Sequence, residues 1–75
     1  MPLKTKDQAR LKGLGANIRR ERMARGMTQE KLAELAQIST RNLQKVEAGE
    51  LNILVTTLMR FHLALKCRWT RLLPS

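Results

Sequence analysis

Thr28-Gln-Glu-Lys-Leu-Ala-Glu-Leu-Ala-Gln-Ile-Ser-Thr-Arg-Asn-Leu-Gln-Lys-Val-Glu-Ala-Gly49 decides the fold, because it reads as two short helices joined by a tight turn. Thr28 and Ser39 each stand as N-cap in front of a helical run, with a side-chain oxygen suited to take up a free backbone N–H. Leu32, Ala33 and Ala36 give the first run one apolar face, and Leu43 and Val46 do the same for the second. Ile38 falls at the corner between them, and Gly49 supplies the left-handed residue on which helices commonly stop. Thr40, Arg41, Asn42 and Lys45 are left pointing outward from the second run. Those side-chain types hydrogen-bond base edges and phosphates in a major groove, so the pattern predicts a helix-turn-helix that binds DNA.

Seventy-five residues suffice for one domain, which buries only about 60% of the surface its extended chain exposes. Fifteen Lys and Arg against six Asp and Glu give a formal charge of +9. A field of that sign favours a polyanionic partner, nucleic acid ahead of an anionic membrane surface. Cys67 is the one cysteine, which excludes an internal disulfide and a thiolate metal cage; it reads as a small buried hydrophobe. No apolar run approaches the roughly 20 residues of a membrane span. Met1 to Lys6 lack the apolar core of a secretory signal, so a soluble, cytoplasmic protein is expected.

Residues 1–12 are polar and basic, with Lys4, Lys6, Arg10 and Lys12 against Asp7. They are expected to form a mobile basic N-terminal arm that tightens into helix near Asp7, either solvated or lying along a DNA backbone or minor groove. Residues 13–75 then make up the DNA-binding domain. Its first helix is expected from Leu11 or Leu14 to Arg25, closed by Gly26, with Leu11, Leu14, Ile18 and Arg22 on one stripe. Arginine on an apolar stripe needs a partner, because an unpaired buried charge is expensive. Glu47 is the best placed. Arg19, Arg20 and Arg25 read as solvated or phosphate-facing, and Met27 as core.

A further helix fits Leu54 or Val55 to Leu65, with Leu58, Phe61 and Leu65 inward. Val55, Met59 and Leu63 form a second stripe offset by about 100°. A helix apolar on two sides is either sandwiched or shared with a second copy of the chain. Trp69, Leu72 and Leu73, in a last turn or two before Pro74, suit packing on that helix or across a dimer seam. Apolar residues recur at helical spacing throughout and no strand pattern appears, so the expected class is all-α, a compact four- to five-helix domain.

Ile18, Arg22, Gly26, Thr28-Gln29, Leu32-Ala33, Ile38-Ser39, Glu47-x-Gly49, Thr57-Leu58 and Leu65 together resemble the Cro/repressor-type, or XRE, helix-turn-helix family. The resemblance spans roughly residues 14 to 73 and is specific because many positions agree at fixed spacing. It implies a lambda-repressor-like DNA-binding domain of five helices, dimeric on DNA, that acts mostly as a transcriptional repressor or regulator. Carried over residue by residue, it places Gln29, with Thr28 before it, against a phosphate at the start of the second helix. Free amides and partial positive charge suit a helix N-terminus to that contact. Thr40, Arg41 and Asn42 match the first exposed positions of the recognition helix and Lys45 the next. Arg22 and Glu47 match a structural ion pair. The chain departs from the pattern at Gln37, where a turn glycine is common and a positive φ would cost about 1 kcal/mol. It departs again at Ile53 and Leu54, at Lys66, at His62, and in a loop from Glu50 to Ile53 without basic residues.

Arg41 suits a bidentate pair with guanine, worth about 1–3 kcal/mol of discrimination, or else a phosphate. Asn42 suits adenine or phosphate, Thr40 a thymine methyl or support of the helix start, and Lys45 a base or phosphate. Ser39 is first a cap and second a phosphate contact. His62 has no second His, Cys pair or carboxylate pair to build a site around and reads as packing; no catalytic or metal site and no cofactor is implied. The expectation is a sequence-specific regulator of double-stranded DNA, a repressor that binds an inverted repeat as a homodimer through Val55, Met59, Leu63, Trp69, Leu72 and Leu73. The alternatives are an antitoxin whose toxin partner takes that same stripe and tail, and a restriction–modification controller protein.

Overall fold

The computed structural model describes residues 5–74, and in it the two expected helices flank a turn at Gln37. The helices in chain order are α1 (Thr5–Ala24), α2 (Gln29–Ala36), α3 (Thr40–Glu47), α4 (Val55–Leu65) and α5 (Trp69–Leu72). No strand occurs among the described residues. The architecture is the expected all-α one.

Helix ends follow one rule. Arg22 O accepts from Met27 N at 3.1 Å and Met23 O from Gly26 N at 3.0 Å, so α1 closes in a Schellman motif on Gly26 at φ 63°. The same pair of bonds closes α2 on Gln37 and α3 on Gly49. On α4 the single bond from Lys66 N to His62 O, 3.0 Å, makes the simpler left-handed cap. Gln37 and Lys66 thus hold φ of 60° and 51° with a Cβ present, each at a cost of about 1–2 kcal/mol. The side chains that cap the other ends behave as expected. Thr28 Oγ1 accepts from Lys31 N and Ser39 Oγ from Asn42 N, both at 3.0 Å.

The core runs through Leu14, Ile18, Leu32, Ala33, Leu43, Val46, Phe61, Leu65 and Leu72, with Cys67 also buried. α2 packs on α3 and α4, while α1 lies against α3, α4 and α5. Met27, Ile38, Leu58 and, from the loop before α4, Leu51 and Ile53 close the edges. Burying the last two ties the loop down through apolar contact.

Two expectations need correction. α1 begins at Thr5 and not at Leu11 or Leu14, so the tightening expected near Asp7 takes in residues 5–12; residues 1–4 of the basic arm lie outside the described residues. Asp7 sits favourably in the first turn and pairs with Arg10 at 3.2 Å, and Leu11 and Leu14 extend the packed face. Leu72 is not a seam residue. Its side chain is 0% exposed, because the turn of α5 rolls it under α1 and into the core.

Candidate nucleic-acid interface

α3 turns Leu43 and Val46 inward and leaves Arg41, Asn42, Gln44 and Lys45 exposed, with Thr40 half-buried at its start. Arg41, Gln44, Lys45 and Ala48 lie at i, i+3, i+4 and i+7, a single outward ridge. Gln44 was absent from the expected reading set. Its spacing from Arg41 places it there, and its side chain is a good partner for adenine.

The ridge is fixed from behind by polar side chains. Arg22 donates through Nε to Glu47 Oε2 at 2.7 Å and through Nη2 to Oε1 at 3.2 Å, while its Nη1 reaches Met27 O at 2.9 Å. Gln29 Nε2 donates to Glu47 Oε1 at 3.1 Å, and Gln44 Nε2 approaches Gln29 Oε1 at 3.4 Å. One carboxylate at the end of α3 therefore joins α1, α2 and α3. Arg22 and Glu47 form the expected pair, with side chains 11% and 5% exposed. The Gln29 side chain is engaged within the chain, leaving the first backbone amides of α2 as the groups facing outward at that end.

Arg19 lines a concavity with Arg22, Gln29, Gln44, Glu47 and Ala48. Of the three arginines expected to be solvated it alone has no in-chain partner among the described residues. Arg20 and Arg25 do not point freely to solvent or phosphate. Both donate to Glu21, at 3.0 Å each, and Arg71 of α5 donates to the same carboxylate at 2.9 Å. Glu21 is 2% exposed. The Arg71 hydrogen bond, followed by those of Arg20 and Arg25, outweighs burial and lowers its pKa to about 2. The same contact raises Arg71.

A second surface, on α4 and the turn that follows it, is apolar. Leu54, Val55, Met59 and Leu63 are 73%, 72%, 50% and 70% exposed, with Trp69 and Leu73 on the neighbouring turn also exposed. His62 stacks flat on Trp69, ring centroids 3.9 Å apart and planes 2° from parallel. It is a packing residue, as its isolation in the sequence implied.

Against this geometry, the profile of the family described as Helix-turn-helix matches residues 18–72. The chain belongs to that family. As an XRE-type helix-turn-helix protein it is a DNA-binding transcriptional regulator. Two solved structures are similar to it. The restriction-modification controller protein C.AhdI from Aeromonas hydrophila shares 30% identity over 85% of this chain and 97% of its own, with a TM-score of 0.79. The hypothetical transcription factor NHTF from Neisseria shares 28% identity over 99% of this chain and 87% of its own, with a TM-score of 0.74. None of the curated proteins is significantly similar. No described helix of this helix-turn-helix protein is long and apolar enough to cross a membrane.

Proposed function

We propose that the chain is a sequence-specific repressor that binds an inverted-repeat operator as a homodimer. The observation that carries this is the exposed ridge of α3, free of in-chain cover and braced by the Arg22–Glu47–Gln29 web. Thr40, Arg41, Asn42, Gln44 and Lys45 would meet base edges. Thr28, Ser39, the first amides of α2 and the Arg19 guanidinium would meet phosphates and set the register. One such helix contacts too few base pairs to be selective. Two copies joined through Val55, Met59, Leu63, Trp69 and Leu73 would place the α3 helices in successive major grooves about 34 Å apart. A patch of this kind is uncommon on a chain that works alone, and a two-fold pair covers it with itself. Blocking polymerase at the occupied operator is the proposed output.

A restriction–modification controller is the second reading, favoured by the similarity to C.AhdI across nearly all of that protein. A toxin would occupy the α4–α5 face in place of a second copy, and a stable complex of unlike chains distinguishes it.

Selection of binding sites from random DNA tests the proposal. The unchanged chain is expected to enrich a two-fold symmetric site, and Arg41→Ala to relax preference at one position of each half, a loss of about 1–3 kcal/mol of discrimination. Recovery of no preferred sequence overturns the reading.

A further inference from the structure

α5 is one turn of four residues, too short to hold itself, yet it carries Trp69 and Leu73 on the exposed apolar face. Its attachment to the rest of the chain is unusual. Leu72 is its one buried side chain. Trp69 stacks on His62 of α4, and the remaining attachment is polar and comes from α1: Arg71 reaches Glu21, Arg20 Nη2 donates to Arg71 O at 2.6 Å, and Asn17 Nδ2 donates to Leu72 O at 3.0 Å. Side chains of α1 thereby satisfy the carbonyls that α5 leaves open at its end. Glu21 is the hub, since Arg20 and Arg71 both turn toward it.

We propose that Glu21 is the positioning residue of the self-association face: its carboxylate, through Arg71 and Arg20, sets where Trp69 and Leu73 stand for a second copy of this chain. The inference rests on the homodimer reading above. A purely stabilising role would not require three guanidinium groups around one carboxylate, because an apolar replacement at a buried charge is commonly as stable. What the network adds is a fixed orientation for a turn otherwise held by Leu72 and one ring stack. Trp69 then keeps its place on His62, and Leu73 its exposed position next to α1.

The test compares the unchanged chain with Arg71→Ala, Glu21→Gln and the core control Ile18→Val, by sedimentation equilibrium and by emission of Trp69, the only tryptophan. Arg71 is more than half exposed, so Arg71→Ala leaves no bare buried cation and should fold even where Glu21→Gln does not. Arg71→Ala is expected to raise the dimer dissociation constant about tenfold, the factor for losing one charge-assisted hydrogen bond. Trp69 emission should move to longer wavelength as its stack on His62 loosens. Ile18→Val should lower thermal stability and leave both readouts in place. An Arg71→Ala dimer as tight as the unchanged one, or an equal weakening by Ile18→Val, overturns the role of Glu21 alone. An unchanged chain that stays monomeric at every concentration overturns the homodimer reading, and this inference with it.

Discussion

Gly15→Ala is expected to destabilise the protein even though it removes a glycine from the middle of α1. Helix propensity by itself would favour alanine by about 1 kcal/mol. A Cβ at Gly15, however, would stand 2.7 Å from Glu47 O and 2.9 Å from its carbonyl carbon, with Val46 O closer still. These are backbone atoms at the end of α3, held by the Schellman bonds to Gly49 and Glu50 and by the Arg22–Glu47 pair. They have no rotamer to change, so the two helices must separate. Overpacking costs about 1–3 kcal/mol, and rigid backbone as the obstacle puts this case at about 2–3, leaving a net loss of about 1–2 kcal/mol after the propensity gain. For a domain of this length that lowers Tm by about 5–15 °C. Gly13→Ala is the internal comparison. Its Cβ would lie 3.0 Å from the Pro74 side chain, which stands outside any helix and can give way, so most of the propensity gain should survive as a Tm raised by a few degrees. Parallel melts followed by far-ultraviolet circular dichroism decide the matter. A Gly15→Ala protein that melts at or above Gly13→Ala would refute the close approach of α1 to α3.

Acid titration gives a second check. Glu21 is held near pKa 2 against an ordinary 4.5, so its contribution is complete above pH 4.5 and drains away as pH falls toward 2. Tm should therefore drop over that window, and Glu21→Gln should flatten the drop; an equally steep acid limb in the variant would contradict it. Arg22→Ala strands the nearly buried Glu47 carboxylate with only the Gln29 amide, and a loss of about 3 kcal/mol or more is expected in urea unfolding. A loss below about 1 kcal/mol would rank the pair with ordinary surface bridges. Gln37→Gly relieves a left-handed backbone and should add about 1 kcal/mol with DNA affinity unchanged; no gain would mean that the Gln37 side chain carries a contact of its own. Arg19→Ala should weaken binding alike for all DNA sequences and reduce the slope of log affinity against log salt by about 1. An unchanged slope removes Arg19 from the phosphate set.

The helix-turn-helix was legible because its signals are local. Two caps, a three- and four-residue apolar spacing and a terminal glycine lie within one short stretch, and the structure keeps all of them. The Arg22–Glu47 pair was legible for a different reason: a charge on an apolar stripe demands a partner, and few acids were available. The same logic failed for Glu21. It is surrounded by basic and polar residues in sequence, which reads as a solvated face, and only the return of α5 buries it. The i+4 spacing to Arg25 was visible; the contact with Arg71, fifty residues on, was not. Leu72 failed likewise, since Trp69, Leu72 and Leu73 are equally apolar and the choice of which one turns inward depends on where α1 lies. The start of α1 was missed because Gly13 and Gly15 weaken the helical pattern from inside, and Gly15 is explained only by the backbone of α3 against it. Gln44 is missing from the expected set, although the spacing from Arg41 already placed it on the ridge.

Glu21 and Arg22 are consecutive residues, about 100° apart around the axis of α1. One fastens α5 and the other α3. In the proposed two-fold pair, the α5 part of the seam would therefore be tied to the α3 ridge through one helix, α1. A residue inserted between these two anchors would swing one of them by about 100° and advance it about 1.5 Å, throwing the ridges out of step with the turns of the duplex. In the proposed pair, α1 would thus serve as a gauge for operator spacing, with its graduation cut into two adjacent side chains.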